Sequence, residues 1–177
     1  MAVDDTRDLG RPQRYLDAYW RRIPDVWVHG DWASRDDEGS WYLHGRSDDT
    51  LNIAGKRIGP AEVESVVAMH AAVAECAAVA IPDPVKGESI WVVVVPKPTD
   101  DELVELEPEV RSLVREHLGG SFTPARVVVV AALPKTRSAK IVRRAVRAAV
   151  TGEDPGDVST LEDPSAIDAI RVAAARP

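Results

Sequence analysis

Residues 45–59 read Gly-Arg-Ser-Asp-Asp-Thr-Leu-Asn-Ile-Ala-Gly-Lys-Arg-Ile-Gly, and the rest of the chain is organised around this stretch. It holds three glycines, three cations and two adjacent aspartates, with few apolar side chains among them. Such a composition predicts a polar junction rather than a core element. Opposite charges placed this close together also favour a nucleotide-like ligand.

Length and composition predict one modest domain with a flanking extension. The chain has 177 residues, 45% of them hydrophobic, and no apolar run approaches the roughly 20 residues of a membrane span. The first residues lack the basic and apolar parts of a secretory signal. The single cysteine, Cys76, lies in the apolar run Val73–Ile81, so we expect a buried small hydrophobe in a cytoplasmic protein.

Charge argues against two classes of partner. The formal net charge of −7 disfavours bulk attraction to nucleic acid and to anionic membranes. A basic segment, Lys135–Arg147, lacks the interleaved aromatic residues typical of a nucleic-acid surface. We therefore expect neither partner. The four histidines show no ligand spacing, and we expect no metal site; they are His29, His44, His70 and His117.

The first part of the chain is charged and interrupted by turns. We interpret residues 1–24 as a linker or the remnant of a preceding N-terminal domain, with a short helix over Arg14–Arg22. The aromatic runs Val26–His29 and Trp41–His44 predict two strands of a hairpin, and Gly30-Asp31 predicts a break after the first.

Beyond the central stretch, apolar patterns alternate between helical and strand periods. Helices are predicted from Pro60, over Pro108–Leu118 and over Ala139–Val150 with Ser138 as its cap; strands are predicted over Val73–Ile81, Ser89–Val95 and Arg126–Ala131. The order predicts an α+β fold, a small mixed sheet of about three strands covered by helices and preceded by a β-hairpin. Residues 151–177 predict an acidic, flexible tail, disordered or loosely helical near Ile167–Val172.

Three segments in this order resemble the C-terminal domain of adenylate-forming enzymes, most closely that of acetyl-CoA synthetases. They are Trp27–Trp32, Gly45–Gly59 and the run Leu133-Pro-Lys-Thr-Arg-Ser-Ala-Lys140; Ile81–Gly87 is similar as well. The resemblance covers residues 10–150 and implies a C-terminal domain over 25–150 with a hinge at 45–49.

Enzymes of this family convert a carboxylic acid and ATP into an acyl-adenylate and pyrophosphate, and then form a thioester with coenzyme A and release AMP. Their small C-terminal domain is a lid that takes one orientation for each step. The resemblance therefore implies ATP or AMP and coenzyme A as substrates, Mg²⁺ held through the large domain, and no prosthetic group.

Lys140 matches the lysine used for adenylation. A cation brought in by a closing lid stabilises the charge that builds on the α-phosphate as the carboxylate attacks. The family usually has glycine where this chain has Ala139. If that position requires a positive φ, alanine perturbs the placement of Lys140.

The resemblance assigns further roles by position. Asp31 matches an acceptor for the ribose hydroxyls, Arg46 an arginine near the AMP ribose and phosphate, and Asp48 the hinge residue. From the residues alone, Asp31 is equally a turn aspartate.

On the coenzyme A side, Gly55 matches a position where a missing side chain lets the pantetheine pass. Arg57 matches an arginine near the nucleotide phosphate and coenzyme A. Arg115 matches an arginine that contacts the coenzyme A nucleotide, with a helix-surface arginine as the alternative.

These 177 residues contain no Gly/Ser/Thr-rich phosphate loop and no acid-binding pocket sequence. We therefore expect a lid of an acetate or short-chain acid:CoA ligase, a fragment or half of a split enzyme, that is inactive without an adenylation domain in cis or in trans. The alternative is a non-catalytic binding or regulatory module whose Lys140 is the target of a lysine acyltransferase and deacetylase.

Overall fold

A computed structural model describes residues 12–47, 49–98 and 106–176. The chain divides into two compact units, Met1–Asp48 and Asp49–Pro177. The sequence predicts one domain over residues 25–150, whereas the structure groups residues 25–48 with the first unit and residues 151–177 with the second. Each unit is described by itself.

Over residues 12–47, the first unit contains one helix and one hairpin. The helix α1 spans Pro12–Tyr19, and β1 (Asp31–Arg35) pairs antiparallel with β2 (Trp41–Arg46). The predicted strand Val26–His29 is irregular, and the predicted break at Gly30-Asp31 is where β1 begins. Asp25 (φ 60°) and Gly30 (φ +88°) bracket the irregular segment, and Trp27 stacks on Tyr19 of α1 at 5.7 Å instead of entering a strand ladder.

The described part of the first unit contains no apolar core. Among residues 12–47 whose side chains are described, none is buried. Large apolar side chains lie on its surface, with Trp41 67% and Leu43 77% exposed.

The second unit is built on a three-stranded mixed sheet, as the sequence predicts. Its strands are β5 (Val73–Asp83), β6 (Gly87–Pro96) and β7 (Arg126–Val129), in the order β5-β6-β7. The β5–β6 pair is antiparallel and the β6–β7 pair is parallel. Three consecutive valines of β6, Val92–Val94, are all fully buried because both faces of the sheet are covered.

Residues 51–58 of the central stretch form a second hairpin, so this part of the stretch is a core element rather than a polar junction. Strand β3 (Leu51–Ile53) pairs with β4 (Lys56–Ile58) across a turn in which Ala54 and Gly55 have φ of 50° and +80°. A two-residue turn with both φ values positive matches the right-handed twist of the strands. The apolar residues of the hairpin are 2–4% exposed and belong to the core; they are Leu51, Ile53 and Ile58.

Helices cover both faces of the sheet. On one face α2 (Pro60–Val67) and α3 (Leu106–Leu118) pack with Val92 and Val94, and a short 3₁₀ turn, Gly120–Phe122, follows α3. On the other face α4 (Arg143–Thr151) and α5 (Ser165–Ala174) pack with Val93. Among the described residues, no helix combines the length and apolar character of a bilayer span.

Two helix predictions require corrected bounds. The last predicted helix starts at Arg143 rather than Ala139, because Ala139 has a φ of 61°, which no right-handed helix accommodates, and Ser138 is not its cap. In the tail, the helix predicted near Ile167–Val172 is present and is longer, spanning Ser165–Ala174. Helix α5 buries Ile167 and Ile170, and Leu161 before it is 6% exposed in the same core cluster.

Candidate functional site

The segment Leu133–Lys140 closes on itself as a tight turn, called here the Lys140 loop. The Thr136 amide donates to the Lys140 carbonyl at 2.9 Å, and the Ala139 amide donates to the Thr136 carbonyl at 2.8 Å. The Lys140 amide donates to Thr136 Oγ1 at 3.2 Å. Lys140 therefore projects from a backbone that its own neighbours fix.

The Lys140 side chain is exposed, and its ammonium group makes no hydrogen bond or ion pair with any residue that the structure describes. The other lysine of the loop differs, because Lys135 Nζ donates to Glu75 Oε1 at 2.6 Å. Of the two lysines in the loop, Lys135 is thus neutralised and Lys140 is available to an incoming anion, while the third cation, Arg137, is exposed as well.

Ala139 lies in the left-handed region, with φ 61°. Left-handed backbone costs a residue with a Cβ roughly 1–2 kcal/mol, and glycine much less. The alanine is therefore a strained substitute at a position suited to glycine, directly before Lys140.

In the first unit, the hairpin brings Asp31 and Arg46 together. They are opposite partners in the β1–β2 register. Arg46 Nη1 donates to the His29 carbonyl at 3.3 Å, and its guanidinium lies against Gly30, where an added Cβ would come within 3.3 Å. His29 Nδ1 pairs with Asp31 Oδ2. Sequence reasoning assigned His29 no role beyond structure, and only its position two residues before Asp31 hints at this contact.

The predicted hinge residue, Asp48, lies outside the described residues. Its neighbour Asp49 is described, and Asp49 Oδ2 is 4.0 Å from Arg143 Nη1, at the start of α4.

The turn of the β3–β4 hairpin carries Gly55 and Arg57. No atom lies within 4 Å of where a Cβ on Gly55 would stand, so the turn faces open space. Arg57 is exposed and lies opposite Asn52. The turn between β5 and β6 and the start of β6 hold the hairpin in place. The Ala54 amide donates to the Lys86 carbonyl at 3.1 Å, and the Asn52 amide donates to Glu88 Oε2 at 2.7 Å.

Arg115 is exposed on α3, one turn before the helix ends. The following 3₁₀ turn contacts the hairpin, since Lys56 Nζ donates to Ser121 Oγ at 3.2 Å. The structure therefore places the Gly55 turn beside the end of the helix that carries Arg115.

A polar cluster under α2 escaped the sequence analysis. Glu64 binds Arg143 through two hydrogen bonds and accepts the Ala78 amide at 2.9 Å. The hydrogen bonds that Arg143 donates to Glu64 raise the pKa of Arg143 above its usual value, and burial together with the Glu64 charge raises the pKa of Cys76 to about 12. Since 79 residues separate Glu64 from Arg143, no local pattern could have joined them.

Comparison with known proteins gives a match to one family model and to several individual proteins. Residues 62–140 match the family model of the AMP-binding enzyme C-terminal domain. The chain is 44% identical over 161 residues to 3-hydroxypropionyl-coenzyme A synthetase from Sulfurisphaera tokodaii, covering 91% of this chain and 24% of that protein. It is 42% identical over 159 residues to acetyl-coenzyme A synthetase from Pyrobaculum arsenaticum, covering 90% of this chain and 24% of that protein.

Among solved structures, acetoacetyl-CoA synthetase from Streptomyces lividans has the same fold, with a TM-score of 0.73 and 24% identity over 93% of this chain and 24% of that one. The chain thus spans about a quarter of the length of these relatives.

Proposed function

Because this chain belongs to the family of AMP-binding enzyme C-terminal domains, we propose that it is the lid of an acyl-CoA-forming ligase. The overall reaction joins a short carboxylic acid to coenzyme A, with ATP converted to AMP and pyrophosphate. The carboxylate oxygen attacks the α-phosphorus and pyrophosphate leaves; the coenzyme A thiol then attacks the acyl carbon, loses its proton, and AMP leaves. Mg²⁺ enters with ATP and is held by the rest of the enzyme.

The observation that carries this proposal is the state of Lys140. An exposed ammonium on a hydrogen-bonded turn, without an ion-pair partner among the described residues, suits a cation that must be delivered to a developing phosphate charge. A flexible backbone would lose much of the benefit, because the group must be in place when the charge forms.

The remaining residues divide between two substrates. Asp31 and Arg46 are proposed to bind the nucleotide, as acceptor for the ribose hydroxyls and donor to the phosphate, and their pairing across one hairpin supports a shared ligand. Gly55 and Arg115 are proposed to contact coenzyme A, with Arg57 near both ligands. The open space above Gly55 supports passage of a slender chain.

The proposed partner is an adenylation domain, in cis or in trans, and the hinge between it and the lid is proposed at Asp48. The chain spans about a quarter of its relatives, and residues 12–47 expose aromatic side chains without burying any described one. Both facts support the view that the first unit packs on further protein. We place the assembled enzyme in the cytoplasm.

A reconstitution experiment tests the proposal. The chain is combined with the adenylation domain of an acetyl-CoA synthetase, and AMP release is measured with ATP, acetate and coenzyme A. We expect turnover that Lys140→Ala lowers at least about 100-fold, on the scale of removing one preorganised electrostatic contact. The matched variant Lys97→Ala removes another exposed lysine and should leave turnover unchanged. Equal turnover of the two variants would exclude the assigned role.

Exposure of Lys140 also favours a second function, a regulatory lid whose lysine is acylated by an acyltransferase. Acylation would remove the charge that adenylation requires. Mass spectrometry of the chain recovered from cells tests this, and a Lys140 never found modified would count against it.

A further inference from the structure

We propose that the segment Val158–Glu162 in the C-terminal tail is a positioning element, which holds the Lys140 loop in shape from the side opposite Ile141. The inference rests on the proposed function of Lys140 for its catalytic meaning, while its structural content stands on the contacts alone. The segment lies outside residues 62–140, which match the family model.

The strand-like part of the Lys140 loop lies between two extended neighbours. On one side Lys135 forms an antiparallel bridge with Ile141, and the Val142 amide donates to the Pro134 carbonyl at 2.9 Å. On the other side Thr136 forms an antiparallel bridge with Leu161. There the Glu162 amide donates to the Lys135 carbonyl at 2.9 Å. The tail therefore completes a miniature three-strand arrangement.

The tail itself is fixed at both ends. Upstream, Arg144 on α4 donates to the Pro155 carbonyl, and to the Asp157 carbonyl at 2.8 Å. Downstream, α5 packs in the same apolar cluster as Leu161, which also contains Leu133 at the base of the loop. Because both of its ends are attached to the rest of the unit, the segment fixes the loop relative to the core.

Thr136 connects the tail segment Val158–Glu162 to Lys140. Its main chain faces Leu161 on one side, while its amide and hydroxyl bind the Lys140 carbonyl and amide. Without the contacts to Val158–Glu162, Thr136 is no longer held in place. The backbone from which the Lys140 side chain projects is then no longer fixed. A misplacement of about 1 Å is enough to slow a reaction that depends on preorganised charge.

The first test removes a single hydrogen-bond donor. Glu162→Pro lacks the amide that binds the Lys135 carbonyl, and Glu162→Ala keeps it, so the two variants differ at the proposed contact. In the proline variant we expect the Thr136 and Ala139 amides to exchange with solvent about threefold to tenfold faster, as expected for loss of one hydrogen bond. The core amides of Val92–Val94 should be unchanged in both variants. Unchanged exchange at Thr136 and Ala139 would overturn the proposal.

The second test separates bracing from general stability. Leu161→Ala and Ile167→Ala each truncate an aliphatic side chain of the same cluster, exposed by 6% and 4%, and of the two residues Leu161 is the one that forms a bridge with Thr136 of the loop. In the reconstituted enzyme we expect Leu161→Ala to lower kcat for adenylation about threefold to tenfold with little change in the KM for ATP, because the charge acts in the transition state. Ile167→Ala should leave kcat unchanged at a temperature where both variants are folded.

Equal kcat losses in the two variants would reduce Leu161 to an ordinary core residue and overturn its positioning role. If no reconstituted mixture turns over, the proposed function fails, and the amide exchange of the Glu162 variants still decides whether the tail braces the loop.

Discussion

Glu64 and Arg143 form a two-hydrogen-bond ion pair that ties α2 to the first residue of α4. Arg143 Nε is 2.8 Å from Glu64 Oε1, and Arg143 Nη2 is 2.5 Å from Glu64 Oε2. The side chains are 14% and 28% exposed, so the pair is mostly removed from water. A bidentate contact of this kind fixes orientation as well as distance, and it does so beside the Lys140 loop.

Glu64→Gln should destabilise the second unit. The substitution removes the carboxylate charge that binds the largely buried Arg143 and leaves Asp49, at 4.0 Å, as its nearest anion. We expect a loss of about 1–3 kcal/mol in the free energy of unfolding, as for a partly buried charged hydrogen bond. Urea denaturation followed at the β6 amides measures it. Glu107→Gln is the matched control: the Glu107–Arg111 pair is 43–44% exposed at 3.5 Å, and its loss should cost less than about 0.5 kcal/mol. Equal losses would mean that the Glu64 pair contributes no more than a surface pair.

Ala139→Gly should stabilise the Lys140 loop. Relief of left-handed strain is worth roughly 1–2 kcal/mol, offset by about 0.4–1 kcal/mol from the greater freedom of glycine in the unfolded chain. We expect a net gain of about 0.5–1 kcal/mol and slower exchange of the Thr136 amide. Ala68→Gly has the opposite expected sign, a loss of about 0.5–1 kcal/mol, because Ala68 has a helical φ of −66°. The same sign in both variants would contradict the strain at Ala139.

Gly55→Ala should separate the two half-reactions. Gly55 and Gly152 have φ values of +80° and +76°, and a Cβ on either meets nothing within 4 Å. Alanine should therefore cost each position a similar amount, about 1 kcal/mol of stability. Only Gly55→Ala should slow thioester formation in the reconstituted enzyme, by about tenfold or more because the reacting chain is misplaced, while adenylation proceeds. A thioester rate equally reduced by Gly152→Ala would remove the coenzyme A role from Gly55.

Cys76 should make stability depend on alkaline pH. Burial and the Glu64 charge raise the pKa of its thiol from 9.0 to about 12 in the folded protein. A raised pKa favours the protonated thiol, so its contribution is complete below the unfolded pKa of 9.0 and is lost as the pH rises toward 12. Unfolding free energies measured between pH 8 and pH 10.5 should fall more steeply in the wild type than in Cys76→Ala. Parallel curves would contradict the shift.

Much of the fold follows from apolar patterns in the sequence. Strands β5, β6 and β7 and helix α3 appear as long apolar or amphipathic runs, because a sheet covered on both faces needs continuous valines. Strands β3 and β4 have three residues each, which is too few to show the apolar–polar alternation of a strand. The charged residues around Leu51 and Ile58 also make the segment look polar. The sequence predicts a flexible tail because several aspartates precede α5, while the apolar residues that it buries are few.

For the candidate site, the sequence predicts only those features that depend on residues close together in the chain. The position of Lys140 follows from its local motif, and Ala139 could be suspected of a positive φ from the glycine that relatives carry. The contacts that fix these residues are not local. Glu162 meets Lys135, and Lys56 meets Ser121, through pairings that depend on how whole elements pack.

The topology of β6 carries a consequence for folding kinetics. Its antiparallel partner β5 is reached through a short turn with Asp83 paired to Gly87, whereas its parallel partner β7 starts with Arg126 paired to Trp91, beyond a crossover that contains α3. Closing the longer loop requires more chain entropy to be lost before any contact forms. We expect the β5–β6 hairpin to be structured in the folding transition state and β7 to add later. Val79→Ala should then give a φ-value well above that of Val128→Ala, and the reverse order would show that the crossover forms first.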